Sequence, residues 1–170
     1  MNYKLLFSFA LVLNLFGCSS VYVPQEHPLR DGLIAPLTVS GDVQINNSQQ
    51  SKDKVIVYSY GGSELESNYH DITQALVNQA NKELKKNGTI QTSSNNKIID
   101  IRVDYLESKY KFFYWNSEIK FTAKLGNGET LVKTVKHGSG SLVQDLNNYI
   151  AEAVIYLFKD EKVVNYLRSS

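Results

Sequence analysis

Two segments, IDIRVDY at residues 99–105 and EIKFTAKL at residues 118–125, decide the fold of this chain. In both, apolar side chains alternate with charged or hydroxyl-bearing ones. Alternation with a period of two predicts β-strands that bury one face and expose the other. We expect the two strands to pair with each other in antiparallel fashion, as the arms of one hairpin.

One register of this hairpin satisfies the charges on its exposed face. It places Asp104 opposite Lys120 and Asp100 opposite Lys124, and directly opposed unlike charges stabilise a strand pair. A slip of two residues would oppose Asp104 to Glu118, which like-charge repulsion disfavours. The favoured register also forms two pairs on the buried face: Val103 with Phe121, and Tyr105 with Ile119.

The rest of the chain supplies further strands and three helices around this hairpin. The apolar periodicity predicts strands at residues 37–45, 55–60 and 129–136, and helices at residues 65–84, 141–157 and 160–167. The order β-β-α-β-β-β-α-α indicates one mixed or antiparallel sheet with the helices packed on one face. We therefore predict the α+β class and a single domain over residues 37–170.

The only cysteine, Cys18, ends the stretch Leu15-Phe16-Gly17-Cys18 after an apolar run at residues 5–16. This arrangement resembles the signal of bacterial lipoproteins, in which the cysteine is lipidated and becomes the first residue of the mature chain. The resemblance implies that residues 1–17 are a removed signal peptide and that acyl chains on Cys18 hold the protein to the membrane. Ser19 after the cysteine implies the outer membrane. The alternatives are an ordinary signal peptide with a chance cysteine, or a buried apolar segment with a free thiol.

Residues 18–36 are predicted to be a lipidated cysteine followed by a flexible tether. They contain all the prolines, Pro24, Pro28 and Pro36, and no sustained periodicity. Fully extended, such a segment holds a domain on the order of 50 Å from the bilayer. The alternative is that part of it, for example Leu33-Ile34, packs on the domain.

The charge of the predicted mature chain is balanced. Removal of Lys4 with the signal leaves one basic residue fewer than the 18 of the whole chain, which equals its 17 acidic residues. The chain has only three arginines, Arg30, Arg102 and Arg168, and no basic block occurs. This balance argues against nucleic-acid binding, which depends on phosphate neutralisation, and against electrostatic docking on anionic lipid.

No residue pattern names a reaction. His70 and Asp71 are neighbours on a predicted helix, and His137 sits beside a Gly-Ser-Gly loop. Asp100 and Asp104 on one strand would be about 13 Å apart, too far for a glycosidase pair. No Cys, His or carboxylate spacing matches a metal site. We expect no catalytic activity, no cofactor and no metal.

An aromatic run connects the two strands that decide the fold. Residues 109–116, KYKFFYWN, contain five aromatic side chains: Tyr110, Phe112, Phe113, Tyr114 and Trp115. In one interpretation they form an exposed tip that binds a partner protein or the membrane interface. In another, the strands curl so that Phe112 and Tyr114 cover the sheet while the remainder packs under the tether. A mixed arrangement, with Phe113 and Trp115 exposed and the others buried, is the third alternative.

The element pattern over residues 55–167, with the closing segment DEKVVNYL at residues 160–167, resembles the small YajG-type lipoproteins of bacteria. That resemblance implies an envelope lipoprotein of unassigned biochemical role and transfers no active-site residue. We predict a non-enzymatic, periplasm-facing outer-membrane lipoprotein that binds a protein of an envelope assembly, such as a secretion, appendage or lipid-export machine. The alternative is a carrier of lipid or another small hydrophobic ligand, with a cleft lined by aromatic residues: Tyr58, Tyr105, Phe121 and Tyr149.

Overall fold

A computed structural model describes residues 18–169, so the predicted signal peptide at residues 1–17 lies outside the described part of the chain. Within that part, one mixed sheet of seven strands carries three helices, which confirms the predicted α+β class. The elements in chain order are β1 (Cys18–Val21), β2 (Leu37–Asn47), β3 (Lys54–Tyr60), β4 (Ser63–Asn68), α1 (Tyr69–Asn87), β5 (Gly88–Lys111), β6 (Tyr114–Leu125), β7 (Thr130–Ser139), α2 (Leu142–Lys159) and α3 (Glu161–Arg168).

Strand β5 is the centre of the sheet. Its first half pairs in parallel with β2, and near its end Ser108 pairs in parallel with Tyr58 of β3. On its other edge β5 pairs with β6, which pairs with β7, and both of these pairings are antiparallel. Strands β4 and β1 continue the sheet beyond β3. The polar residues 91–96 are part of β5, and the two ends of this segment, Gln91 and Asn96, pair with β2 on either side of a register shift.

The predicted register of the central hairpin is right in its first half only. Asp100 faces Lys124 and Val103 faces Phe121, but a bulge then shifts the pairing so that Tyr105 faces Lys120. Asp104 is the extra residue. Its carboxylate accepts hydrogen bonds from Arg102 Nε at 2.6 Å and Thr122 Oγ1 at 2.6 Å.

The bulge exists because the apolar pattern changes parity. Val103 is fully buried, and the next buried apolar residue is Leu106, three positions later. A regular strand would turn Leu106 outward, whereas one extra residue returns it to the core beside Ile119. Tyr105 is consequently 36 % exposed. It pairs with Lys120 instead of Ile119, the partner predicted for it.

Two strands had no counterpart in the predicted order. Strand β4 takes the residues expected to begin the first helix, because Gly61 and Gly62, with φ of 59° and 81°, form a tight hairpin turn after β3. The helix begins only after Asn68, whose side chain accepts a hydrogen bond from the Asp71 N–H at 2.8 Å.

The helices cover one face of the sheet, and the core lies between them. Phe121 of the sheet and Tyr149 of α2 are its largest fully buried side chains. Helix α2 begins after Ser141 as predicted, although the Ser141 side chain makes no capping bond. The opposite face of the hairpin is charged, with ion pairs such as Glu118–Lys136 at 3.3 Å.

Residues 18–36 differ from the flexible tether expected there. Strand β1 pairs in parallel with β4, and Tyr22 and Ile34 are buried in the core. The Tyr22 hydroxyl donates to Asn147 Oδ1 at 2.8 Å, and Asp31 pairs with Lys86 at 2.6 Å. The alternative, in which part of this segment packs on the domain, is the arrangement observed.

Candidate functional site

The aromatic run forms the tip of the β5–β6 hairpin. Lys111 pairs with Tyr114, so Phe112 and Phe113 are the two residues of the turn. They are 90 % and 88 % exposed, the highest values among the exposed large hydrophobic residues described. The interpretation in which Phe112 covers the sheet is therefore wrong.

The backbone of this turn is unfavourable for its residues. Phe112 and Phe113 have φ of 38° and 75°, the left-handed region that two-residue hairpin turns require. Asn-Gly is the usual choice there, because a bulky side chain at positive φ costs about 1–3 kcal/mol. Folding alone does not explain two phenylalanines at this position.

The other aromatic residues of the run support the tip. The Tyr110 and Trp115 rings lie 5.2 Å apart, and Tyr60 from the end of β3 adds a third ring 4.9 Å from Tyr110. Tyr110 and Trp115 are half-buried, while Tyr60 and Tyr114 are exposed. The five predicted residues are thus brought together, and the sequence pattern missed Tyr60 because it lies fifty positions away.

The tip lies at the same end of the sheet as Cys18. In β1, Cys18 pairs with Ser63, which pairs with Tyr60, whose ring contacts Tyr110. Three interstrand steps of about 4.8 Å place the Cys18 backbone about 14 Å to the side of Tyr110. The row continues across the hairpin to Trp115, which pairs with Tyr110.

Charges flank the aromatic tip on the opposite face of the hairpin. Glu107 faces Glu118 across the ladder, and Lys109 pairs with Glu107 at 2.8 Å. The Tyr105 hydroxyl donates to the Glu107 carboxylate. Lys109 and this hydroxyl lower the pKa of Glu107, and the same hydrogen bond raises the pKa of Tyr105 to about 12.

Behind the tip, on the helix-covered face, lies a polar row that sequence reasoning missed. Ser108, Ser117 and His137 are neighbours across β5, β6 and β7. Asp145, in the first turn of α2, is fully buried and accepts a hydrogen bond from the Ser117 hydroxyl. Only a residue pattern shared by three strands and a helix could have indicated it, and these residues are far apart in sequence.

This polar row does not have the geometry of a serine nucleophile. Ser117 is 1 % exposed and donates to Asp145 rather than to a histidine. His137 instead pairs through Nδ1 with Glu152 at 2.7 Å, while its Nε2 is 3.9 Å from Asp145 Oδ1. A nucleophile needs both a base within hydrogen-bond reach and access to substrate.

Burial raises the pKa of Asp145, and the hydrogen bond from Ser117 and the nearby His137 oppose that rise. Asp145 Oδ1 and Ser108 Oγ are buried atoms without a hydrogen-bond partner in the described part of the chain. An incompletely satisfied buried carboxyl destabilises the fold when ionised. Ionisation of Asp145 within this row therefore costs folding free energy.

The other predicted polar candidates lie apart from the tip. His70 Nδ1 and Asp71 Oδ1 are 3.2 Å apart in the first turn of α1. Asp100 faces Lys124 but accepts a hydrogen bond from Asn46 Nδ2 at 3.0 Å, which joins β2 to β5.

The aromatic residues expected to line a ligand cleft do not share one. Phe121 and Tyr149 are enclosed in the core, and Tyr58 is buried. Tyr105 lies on the charged face, where its hydroxyl meets Glu107. The bulge at Asp104 is the reason, because it turns Tyr105 away from the helices.

Among residues 18–169, no group of three or more His, Cys, Asp or Glu is placed to hold a metal ion. No helix in the same range is long and apolar enough to cross a membrane. The chain matches no protein-family model, and no curated protein matches it. The likeness to YajG-type lipoproteins stays a prediction.

Proposed function

We propose that this chain is a lipid-anchored, non-enzymatic accessory protein of the bacterial outer membrane. It faces the periplasm and binds a protein of an envelope assembly, such as a secretion, appendage or lipid-export machine. The anchor is Cys18, the only cysteine, which follows an apolar run of signal-peptide length.

One observation carries this proposal: Cys18, the first described residue, is already part of β1 and pairs with Ser63 of β4. Because that strand is paired with β4, a lipid on Cys18 holds the sheet directly at the bilayer instead of on a tether. Every part of the domain then lies no farther from the membrane surface than the length of the domain. Because the aromatic tip lies at the anchored end, the proposed membrane-seated partner contacts the part of the domain that projects away from that end.

The surface of the domain supports binding more than catalysis. The serine, histidine and aspartate that come together are arranged without an accessible nucleophile, since Ser117 is buried and bonded to Asp145. The most exposed apolar side chains, in contrast, form the aromatic tip. Exposed aromatic clusters are typical of contact surfaces.

Carriage of a small hydrophobic ligand is the second hypothesis, and the described core gives it little support. Phe121 and Tyr149 fill the space between sheet and helices with 0 % exposure. A carrier needs an apolar cavity at that place. A lipid that co-purifies with the Cys18→Ser variant in stoichiometric amount would favour this hypothesis over the adaptor.

The anchor is tested by expressing the full chain in a Gram-negative bacterium, with Cys18→Ser as the variant and Ser20→Ala as the matched control. We expect the wild-type chain and the control in the outer-membrane fraction, with the mass of an acylated N-terminal cysteine. The Cys18→Ser variant should lose the added mass and leave that fraction. Unchanged mass and fractionation in this variant would refute the proposal.

The adaptor role is tested by placing a photo-crosslinking residue at Tyr156 and at Val132, which are 49 % and 54 % exposed and lie away from the tip. A discrete protein adduct that depends on Cys18 is the expected result. If neither position gives an adduct while the protein stays anchored, the protein partner is excluded from these surfaces.

A further inference from the structure

We propose that the hairpin tip is a second membrane contact, which inserts Phe112 and Phe113 into the lipid bilayer beside the acylated Cys18. This inference rests on the proposed lipid anchor. It names the ligand of the aromatic tip as the bilayer interface rather than a protein.

The tip and the proposed anchor lie at the same end of the sheet. Cys18, Ser63, Tyr60 and Tyr110 form one row across the sheet, so they lie at one height along the strands. When the lipid on Cys18 sits at the membrane surface and the strands stand along the membrane normal, the whole row lies at that surface.

The turn extends beyond this row far enough to enter the membrane interface. Phe112 follows Tyr110 by two positions and Phe113 precedes its partner Trp115 by two, so both extend about 7 Å beyond the row at the rise of a β-strand. Interfacial protein segments bury their apolar faces about 5–10 Å into the boundary between headgroups and acyl chains. The geometry of the hairpin therefore matches the depth that an interfacial anchor uses.

The aromatic side chains follow a definite order along the strands toward the turn. Phe112 and Phe113 are outermost, and the amphipathic rings of Tyr60, Tyr110 and Trp115 lie one step behind them. Tyrosine and tryptophan favour the headgroup level of a bilayer, while phenylalanine favours the apolar side. The layers of the tip follow the layers of the membrane interface.

The turn is poorly suited to contact with water. Both phenylalanines occupy positive φ and are almost wholly exposed, so neither the backbone nor the core of this domain gains from them. A bilayer recovers the apolar contact that the fold leaves unused. Charge plays little part, since the predicted mature chain is balanced.

Trp115 makes this inference directly measurable, because it is the only tryptophan of the chain and lies in the tip. The protein from Cys18 onward is purified, and its single cysteine is coupled to a maleimide lipid in phosphatidylcholine vesicles. Chemical coupling supplies the anchor whether or not cells acylate Cys18. Tryptophan emission is then recorded with brominated acyl chains as a lipid-phase quencher and acrylamide as an aqueous quencher.

Because Trp115 is already half-buried, the reference is the uncoupled protein in buffer. Relative to it, we expect a further blue shift of Trp115 emission, strong quenching by brominated lipid and added protection from acrylamide. The double variant Phe112→Asp, Phe113→Asp should reverse all three effects severalfold while it remains coupled. The matched control is Val132→Asp, at an exposed apolar position far from the tip, and it should behave as the parent protein. Circular dichroism confirms that the variants are folded.

Coupled protein whose Trp115 stays open to acrylamide and insensitive to brominated lipid would overturn the inference. A Val132→Asp control that reproduces the effect of the double variant would overturn it as well. Failure of the proposed anchor has a different signature, namely the absence of an acylated Cys18 in cells, as measured by mass. The two claims can therefore fail separately.

Discussion

The two halves of the β5–β6 hairpin obey different rules. In the half near the core, Ile101 and Val103 are fully buried against Ala123 and Phe121, and the charges on the other face are complementary. Beyond the bulge at Asp104, like charges oppose each other at one level, and the ladder ends in an exposed aromatic turn. One continuous strand pair thus joins a segment optimised for folding to one that is not.

We interpret this difference as a consequence of the proposed contact between the tip and the bilayer. Natural sequences agree with their fold at most levels, and local disagreements concentrate at functional sites. The near half has no such disagreement. The distal half has positive φ at two phenylalanines and a buried carboxyl at its base.

The largest expected effect contrasts one phenylalanine from each half. Phe121→Ala should lower the free energy of unfolding by about 3–5 kcal/mol, because it opens a cavity in the core. Phe112→Ala should change it by less than about 0.5 kcal/mol, because that side chain is almost wholly exposed. Urea denaturation measures both, and similar losses would contradict the division into two halves.

The next effect tests the bulge that separates the halves. Deletion of Asp104 keeps Val103 and Leu106 on the buried face, so we expect a cost of about 1 kcal/mol from its lost hydrogen bonds. Deletion of Arg102 reverses the facing of the residues before the bulge and should cost more than about 3 kcal/mol. Equal losses in thermal unfolding would show that the bulge does not set the register.

The third effect goes in the opposite direction. Replacing Phe112 by Asn and Phe113 by Gly gives the turn the residues that its backbone prefers, and should raise the free energy of unfolding by about 1–2 kcal/mol. The same variant should lose the lipid quenching of Trp115. Chemical denaturation checks the first outcome, and a loss of stability would contradict the view that the tip is kept at the expense of folding.

The smallest effect concerns Asp145, beneath the distal half. Its pKa is raised in the folded state, so the folded protein keeps this proton where the unfolded chain has released it. This group therefore lowers stability as pH rises from the ordinary aspartate range through the folded pKa. Asp145→Asn should avoid that loss, with a gain of less than about 1 kcal/mol at neutral pH.

The comparison of parent and Asn variant isolates this group from all others that titrate. Their difference in unfolding free energy should vanish below the usual aspartate pKa and grow with pH to a plateau. A difference that is constant with pH would mean that Asp145 is not the titrating group. Asp145→Ala, which leaves Ser117 without its partner, is the control for loss of the hydrogen bond.

The fold was predictable where local pattern and global packing agree. Alternation fixed the near half of the hairpin, and apolar spacing found all three helices. The bulge was not predicted, because the charges alone favoured Asp104 opposite Lys120, whereas burial of Leu106 decided otherwise. Leu65 likewise fits a helical stripe, but the Gly61-Gly62 turn makes it part of a strand.

The site was predictable in part for the same reason. The five aromatic residues of the run lie close together in the sequence, so they could be recognised without the structure. Tyr60, the polar row with Asp145 and the alignment of Cys18 with the tip depend on pairings between distant strands. Residue spacing carries no information about such pairings.

The most direct test of the central claim is in-cell photo-crosslinking from position Phe113 of the full chain, with products identified by mass spectrometry. We expect adducts to phospholipid that disappear in the Cys18→Ser variant, while the same probe at Val132 gives no lipid adduct. A discrete protein adduct from Phe113, or crosslinks only within the chain, would contradict the assignment of the tip to the bilayer.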